Sequence, residues 1–287
     1  MALSNLEILS SLFGRRFLVG FLHTAFITSD VSSNLALRTY LLTFGGLALI
    51  AYGYRLLVEF GHFGQHQFTV SNKRSLGANT IEISLVPQQK NLRYRAGQFA
   101  FLSFFQSEIS REPHPFSFVS DPTEEDLKFA IKNLGDFTAT LDRLEAGTKV
   151  AIEGPYGAFG QGPLAGQREI WIAGGVGITP FISLAKDLKN NNRQADLFLS
   201  FKNQVEAIYL PELQSIADNN PRLKIFPFYS DTMGFLSADY IEKNSGPVEN
   251  RSIYICGPVG MMKNLKSQFV LKGADINNVH TEEFSLQ

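Results

Sequence analysis

The sequence predicts an antiparallel β-barrel followed by an α/β domain with a parallel sheet, both preceded by an apolar helical membrane segment. Three observations support this fold class. Short, alternating apolar runs precede residue 157, strand and helix patterns alternate from residue 168 onward, and residues 40–58 form one long apolar run. Short alternating runs are typical of small barrels, whereas alternating strands and helices indicate a parallel sheet.

The barrel is predicted from six strands and one short helix. Phe99, Phe101 and Phe105 alternate along one strand, as packing against a barrel core requires. The helix is expected at residues 140–144, with Asp136 or Thr138 as its cap. The strands are predicted at 67–71, 80–86, 99–104, 116–119, 127–132 and 149–153.

The second domain is predicted to start after a glycine-rich boundary at residues 157–167. The resulting division assigns 1–62 to a membrane segment, 63–160 to the barrel and 167–287 to the α/β domain. The predicted strands are 169–173, 196–201, 223–228, 252–256 and 279–282, and the helices are 179–189, 210–219 and 259–271.

The membrane segment contains one clear transmembrane candidate, residues 40–58, and a partial apolar run at 17–27. At about 1.5 Å per residue the first spans roughly 28 Å, close to a bilayer core. Arg55 is its single charge; a buried core helix is the alternative. A signal peptide is rejected because the arginines at 15–16 follow an apolar stretch rather than precede it. More positive residues follow the helix than precede it, where Arg38 stands alone. This asymmetry predicts that the barrel and the α/β domain lie on the cytoplasmic side.

A glycine-rich turn at residues 171–180 indicates an anion site. A buried strand runs into Gly174, Gly175 and Gly177 and then into Thr179-Pro180, where a helix is expected to start. Such a turn lets a pyrophosphate approach backbone N–H groups, so valine at Gly174 or Gly177 is expected to occupy the pyrophosphate's space. The spacing differs from Gly-x-Gly-x-x-Gly, and a βα turn that binds nothing is the alternative.

Four further clusters of residues occur along the chain in the same order as the motifs of a known family. They are His114-Pro115-Phe116-Ser117, then Lys132 with residues 135–138, then residues 254–262, and the ending 282–287. Taken singly, His114 is equally a turn histidine, Cys256 a small buried residue and Phe284 ordinary core.

Together these motifs resemble the ferredoxin–NADP reductase superfamily, and most closely the dehydrogenase half of ferric reductases and NADPH oxidases, over residues 66–287. The resemblance implies an FAD-binding barrel and an NAD(P)H-binding α/β domain. It assigns catalysis to Ser117, Cys256 and Phe284. The cofactor-binding residues that it implies are His114, Pro115, Phe116, Ser117, Lys132, Gly135, Asp136, Phe137, Thr138, Gly174, Gly175, Gly177, Thr179, Pro180, Ser200, Lys202, Cys256, Gly257, Pro258 and Phe284.

Individual roles follow from the same resemblance. Phe116 is expected to pack on the isoalloxazine, Ser117 to hydrogen-bond near flavin N5, and His114 to lie by the ribityl or pyrophosphate part. Cys256 is expected near the nicotinamide C4, and Phe284 is expected to cover the flavin face. The arginine that the wider superfamily uses here is missing, so another donor must replace it.

The sequence predicts that NADPH is preferred as the reductant, with NADH as the alternative. Ser200 and Lys202 follow the second strand of the α/β domain, and no acidic residue stands there to bind a free ribose 2′-hydroxyl. Lysine is a weaker phosphate partner than arginine, so a preference rather than strict selection is expected. The alternative is that Lys202 is a solvated surface charge.

The predicted function is a membrane-associated reductase that passes hydride from NAD(P)H to FAD and single electrons to haem, a ferric chelate or oxygen. The alternatives are a module that needs a haem-bearing partner and a degenerate fragment without turnover. Haem binding stays open, with His23 as a ligand only if a partner completes the site. Much of the family's membrane domain has no counterpart in this sequence, which suggests a truncated or split member.

Composition excludes several other classes. A net charge of −1 and a pI near 6.5 leave no basic footprint for nucleic acid. One cysteine excludes an intramolecular disulfide and a cysteine-ligated iron–sulfur centre. No cluster of metal ligands is expected, and hydride transfer needs none.

Overall fold

The computed structural model describes residues 33–61, 65–89, 91–162 and 168–283. It divides into two compact units, residues 1–64 and 65–287. His23 and Phe284 lie outside the described residues, so the predictions for these two residues stay predictions.

The first unit contains one described helix, α1 (Leu35–Gly61). Its segment Leu35–Tyr54 has a mean hydropathy of 1.5, and it is long and apolar enough to cross a membrane. The helix begins earlier than the predicted 40–58, and it includes Arg38, which was expected to precede it. Asn34 explains this start, because its Oδ1 accepts the N–H of Leu37, as a cap does.

The second unit opens with a six-stranded antiparallel sheet. Its strand order is β4-β3-β6-β1-β2-β5, and the bridge between Phe118 and Phe129 joins its two edges into a barrel. Phenylalanines fill the interior, since Phe68, Phe104, Phe118 and Phe129 are fully buried. The strands are β1 (Gln65–Gly77), β2 (Thr80–Pro87), β3 (Phe99–Phe105), β4 (His114–Ser117), β5 (Leu127–Lys132) and β6 (Lys149–Tyr156), with helix α2 (Asp136–Thr140) between the last two.

The rest of the unit is a five-stranded parallel sheet in the order β11-β10-β7-β8-β9, with helices on both faces. Along β7, Ile170 and Ile172 face one core cluster, and Trp171 and Ala173 face the other. The elements are β7 (Glu169–Gly174), α3 (Thr179–Asp187), β8 (Ala195–Phe201), α4 (Leu210–Asn219), β9 (Leu223–Tyr229), α5 (Ser230–Met233), α6 (Ala238–Ser245), β10 (Ile253–Cys256), α7 (Val259–Leu271) and β11 (Val279–Glu282).

One core cluster joins the barrel to the parallel sheet. Val119 and Phe159 from the barrel pack with Phe181 and Leu184 of α3. The rings of Phe159 and Phe181 meet edge to face, 5.4 Å apart. The two sheets therefore share buried apolar surface.

One predicted helix has different bounds in the structure, and two short helices were not predicted. The helix expected at 140–144 begins at Asp136, and residues 141–143 form a 3₁₀ turn. Thr138 supports the start from inside the helix, because its hydroxyl accepts the N–H of Gly135 at 3.0 Å. Helices α5 and α6 were missed, because both are short and polar.

Candidate functional site

A cleft of about 250 Å³ lies between the barrel and the β7–α3 connection. Aromatic side chains of β3 and β4 form its barrel wall, and Val176 and Thr179 form the opposite wall. Lys132 is the one cation among the described residues that line it. The lining residues are Phe99, Phe101, Pro115, Phe116, Ser117, Ala130, Ile131, Lys132, Leu134, Thr138, Val176, Thr179, Glu282 and Glu283.

Two of these lining side chains hold buried polar atoms that have no hydrogen-bond partner among the described residues. They are Ser117 Oγ and Glu282 Oε2. A third such atom is Nε2 of His114, at the start of the strand that carries Ser117. Unpaired buried polar atoms cost free energy, so their presence in one region indicates partners supplied by a ligand.

His114 sits in an apolar setting next to the cleft. Its ring stacks on Phe137, with 3.6 Å between the centroids. Burial lowers the pKa of His114, which favours the neutral imidazole. Gly135 and Asp136, which the sequence assigned to the same site, are exposed and do not line the cleft.

The glycine-rich turn folds as a 3₁₀ turn, residues 175–178, between β7 and α3. Gly175 has φ +55° and a side chain there would enter open space. Gly177 is different, because a Cβ there would lie 2.4 Å from the carbonyl carbon of Cys256. At Gly174 a Cβ would meet Met261 at 2.8 Å.

A side chain at Gly174 or Gly177 would therefore meet the protein itself, and the expectation that these glycines leave room for a pyrophosphate stays a prediction. Both glycines allow the chain to pack on itself, Gly177 against β10 and Gly174 against Met261. Gly175 is the glycine that leaves open space beside the turn. Gly257 belongs to the same packing, because a Cβ there would lie 3.0 Å from the Cα of Gly174. Pro180 is buried in the first turn of α3.

A second and larger cleft of about 720 Å³ opens at the carboxyl ends of the parallel strands. Gly174, Gly175, Ser200, Lys202 and Pro258 line it. Parallel sheets of this type bind ligands at this edge. The strand register explains the grouping, because Gly174 at the end of β7 lies opposite Ser200 on β8.

Several residues of this cleft were not identified from the sequence, and Glu206 and Phe235 are the two that bear on nucleotide binding. Glu206 lines it together with Lys202, so the statement that no acidic residue stands near the second strand is wrong. The cause is the 3₁₀ turn at 204–206, which Asn203 caps and which brings Glu206 back to the strand end. Phe235 also lines the cleft and is 98% exposed, an unusual state for a large apolar ring.

Cys256 and Glu282 end two adjacent parallel strands. They are direct register partners on β10 and β11. Cys256 is fully buried, and burial followed by the charge of Glu282 raises the pKa of its thiol. Burial also raises the pKa of Glu282 to about 7. The sequence identified Cys256 but missed Glu282, although acidic residues directly before Phe284 were a visible signal.

The two clefts meet at Lys132, which lines both. The structure thus brings the aromatic barrel wall and the carboxyl edge of the parallel sheet to one place. Among the described residues no group of three or more histidine, cysteine, aspartate or glutamate side chains could hold a metal ion.

Two family models match the chain consecutively. Residues 63–159 match the FAD-binding domain, and residues 171–267 match the oxidoreductase NAD-binding domain. The first covers the barrel with its cleft, and the second covers the parallel sheet through most of α7.

Curated relatives and solved structures agree with these matches. Flavohemoprotein A of Dictyostelium discoideum is 30% identical over 145 residues, 49% of this chain and 36% of the relative. Respiratory burst oxidase homolog protein A of Solanum tuberosum is 34% identical over 149 residues, 42% of this chain and 15% of the relative. The chain thus corresponds to only a minor part of each of these relatives.

The flavohem-like FAD/NAD-binding domain of a nitric oxide dioxygenase from Vibrio cholerae O1 biovar El Tor has the same fold. The TM-score is 0.68 at 22% identity, covering 76% of this chain and 98% of that domain. The chain thus carries an FAD-binding domain built on an antiparallel sheet and an oxidoreductase NAD-binding domain built on a parallel sheet, in series, and its fold is ferredoxin reductase-like.

Proposed function

We propose that this protein is a membrane-associated flavoprotein that transfers hydride from NAD(P)H to FAD and then passes single electrons to haem, a ferric chelate or oxygen. One observation carries the proposal. The aromatic cleft and the larger cleft meet at Lys132, and Ser117 and Glu282 of the aromatic cleft hold buried polar atoms that have no hydrogen-bond partner among the described residues. Hydride passes directly from a nicotinamide to a flavin, so the sites that bind the two rings must adjoin, as these two clefts do.

The aromatic cleft fits the flavin ring system. Phe116 and Phe99 offer ring faces and edges, and Ser117 Oγ is buried without a partner at the cleft wall. A buried hydroxyl of this kind donates to or accepts from a ring nitrogen. Lys132 is the cation best placed to replace the arginine that the wider superfamily uses.

Bound FAD supplies the redox chemistry, taking two electrons from a nicotinamide and releasing them one at a time. The chain orients the two rings and excludes water. Glu282 lines the cleft with Cys256 buried beside it on the neighbouring strand, and Ser117 is proposed to fix the flavin edge. Glu282, with its pKa near 7, can hold or release one proton at Oε2 at neutral pH.

The larger cleft fits the adenine nucleotide half of NAD(P)H. The N–H groups of the turn at Gly175 are proposed to receive the pyrophosphate. The exposed ring of Phe235 offers a stacking surface for adenine. Lys202 attracts a 2′-phosphate and Glu206 repels one, so the proposed preference for NADPH is small.

The electron acceptor is proposed from the chemistry and from relatives. The names of the two curated relatives refer to a haem protein and an oxidase. Membrane association is supported by α1, with the two cofactor domains on the cytoplasmic side, where NAD(P)H is available. A module that works only with a haem-bearing partner is the second candidate, and the name of one relative, a flavohemoprotein, favours it.

The absorbance spectrum of the detergent-purified protein tests the proposal. Flavin bands with a haem Soret band favour the haem-linked enzyme, and flavin bands alone favour a reductase that acts on an external acceptor. Protein without flavin that also fails to bind added FAD contradicts the proposal.

Ser117→Ala tests the flavin assignment itself. Loss of a hydrogen bond at the flavin edge is expected to slow reduction by NAD(P)H about ten- to a hundredfold, since such bonds contribute about 1.5–3 kcal/mol when charge develops. Stopped-flow absorbance measures the rate. The control is Ser103→Ala, a buried serine on β3 that does not line the cleft. Equal rates in wild type and Ser117→Ala contradict the assignment.

A further inference from the structure

Helix α3 links the nucleotide turn to the strand of the flavin motif. Its first turn follows the glycine-rich turn, and its middle contacts the segment just after β4. Ser183 Oγ donates to the carbonyl oxygen of Ser120 at 2.8 Å. Lys186 Nζ donates to the carbonyl oxygen of Val119 at 2.8 Å. One helix therefore holds two consecutive carbonyl groups of the barrel.

These hydrogen bonds lie in a dry interface. Ser183, Ser120 and Val119 are fully buried, and the side chain of Lys186 is 14% exposed. Lys186 also pairs with Glu212 of α4 at 2.8 Å, which holds its ammonium group in place. Hydrogen bonds that are buried from water are stronger and have a definite geometry. They fix the position of α3 along the barrel more strictly than the surrounding apolar contacts alone, because apolar contacts are not directional.

The barrel fixes the same carbonyl from its own side. Tyr94 Oη donates to the carbonyl oxygen of Ser120 at 2.7 Å, and the Tyr94 ring stacks on Phe118 with 3.9 Å between centroids. Ser120 Oγ accepts the N–H of Lys128 on β5 at 3.1 Å. The Ser120 carbonyl thus accepts one hydroxyl from each domain, three residues after Ser117.

We propose that Ser183 and Lys186 are positioning residues for hydride transfer. They hold α3, and with it the nucleotide turn, at a fixed distance from Ser117 and the flavin edge. Transfer requires reacting atoms about 3–3.5 Å apart, and a misplacement of about 1 Å costs on the order of a hundredfold in rate. The proposal rests on the proposed function, because it assumes that a nicotinamide at the turn reduces a flavin beside Ser117.

The experiment uses the full-length, flavin-loaded protein and three variants of the interface: Ser183→Ala, Lys186→Met and the double variant. Anaerobic stopped-flow measurements at increasing NADPH and NADH give the limiting rate of flavin reduction and the nucleotide Kd separately. We expect the limiting rate to fall about tenfold in each single variant and further in the double variant. The Kd is expected to stay within about twofold of wild type, because neither side chain lines the nucleotide cleft.

Two controls separate positioning from general stability. Tyr94→Phe removes a donor to the same Ser120 carbonyl from within the barrel, so it should lower the melting temperature but leave the limiting rate within about twofold. Lys189→Met removes the ion pair to the buried carboxylate of Asp121, which keeps the N–H and hydroxyl of Thr123 as donors, and should leave the limiting rate within about twofold.

Three outcomes decide the matter. A lower limiting rate in Ser183→Ala and Lys186→Met, with normal reduction by dithionite, supports positioning. Unchanged limiting rates in both, or an equal loss in Tyr94→Phe, overturns it. Failure of the wild-type flavin to be reduced by either nucleotide overturns the proposed function instead, which keeps the two failures distinct.

Discussion

Glu282 lines the aromatic cleft, and its Oε2 is buried without a hydrogen-bond partner among the described residues. Burial raises its pKa from 4.5 to about 7. Between these two values the unfolded chain releases its proton first, so the carboxyl makes the folded state less stable as pH rises from about 4.5 through 7. Below about pH 4.5 the carboxyl is neutral in both the folded and the unfolded chain, so its burial no longer makes the stability depend on pH.

We therefore predict that Glu282→Gln stabilises the flavin-free protein above pH 7 and has little effect below pH 4.5. The expected gain is of order 1–2 kcal/mol, less than full linkage because the carboxyl is partly open to solvent. Urea unfolding across pH 4–8.5 measures it. Glu283→Gln, at the exposed neighbour, is the control. A pH profile of Glu282→Gln that matches wild type contradicts the prediction.

The opposed charges of Lys202 and Glu206 give a second prediction. Lys202→Ala should lower kcat/KM for NADPH about two- to fivefold and leave NADH unchanged, because exposed charge pairs contribute about 0.2–1 kcal/mol. Glu206→Gln should shift the NADPH to NADH ratio in the opposite direction. Steady-state kinetics with both nucleotides measures the ratio. The control is Lys224→Ala on β9, outside the cleft, and ratios that do not move in either cleft variant would exclude both residues from cofactor choice.

At the residue scale, a contiguous four-residue motif predicted His114 and Ser117 as site residues. Both hold a buried polar atom that has no hydrogen-bond partner among the described residues, which agrees with a ligand site without testing it. Glu206 and Phe235 reach the nucleotide cleft through a 3₁₀ turn and a loop, so their place depends on tertiary folding that no local spacing encodes. The assigned roles of the site residues in binding stay predictions.

At the scale of elements, the junction of β7 and α3 separates two kinds of glycine. Gly175→Asn suits the observed φ of +55°, because asparagine tolerates the left-handed region, yet it places a side chain in open space beside the turn. We expect a folded protein whose Kd for NAD(P)H rises about tenfold or more. Gly177→Ala puts a Cβ 2.4 Å from the Cys256 carbonyl carbon and should destabilise the fold by at least about 1–3 kcal/mol.

Melting temperature and nucleotide titration distinguish the two glycines. Each variant serves as the control for the other, since the substitutions lie two residues apart in one turn. The reverse pattern, with tight nucleotide binding in Gly175→Asn and an unchanged melting temperature in Gly177→Ala, would show that the two roles have been assigned the wrong way round.

Strongly patterned elements could be predicted from the sequence almost to the residue. Leu127–Lys132, Leu210–Asn219 and Val259–Leu271 match their predicted bounds, because turn residues limit each apolar pattern. Helix α6 was missed although Ser237 caps it, with its hydroxyl accepting the N–H of Tyr240. Its few apolar residues gave too weak a period to outweigh the polar remainder.

At the scale of the whole molecule, the division into an apolar helix and a two-sheet unit follows the change in composition along the chain. The segment Leu35–Tyr54 of α1 is apolar and is not buried inside the protein, which agrees with the proposed membrane span. The pairing of the two sheets could not be derived from local pattern, because it depends on side chains such as Phe159 and Ser183 that meet only in the folded chain.

The last prediction concerns this division. A fragment of residues 65–287 should fold, bind FAD and reduce ferricyanide with NAD(P)H, because it forms a compact unit with its own core. In Triton X-114 phase separation the fragment should stay in the aqueous phase, and the full chain should enter the detergent phase. Leu47→Lys and Ile50→Lys on α1 should move the full chain back toward water, since a charge at the centre of a membrane helix costs about 2.5–3.5 kcal/mol. A full chain that stays in the aqueous phase would contradict the membrane assignment while leaving the reductase intact, because the fragment carries both cofactor domains.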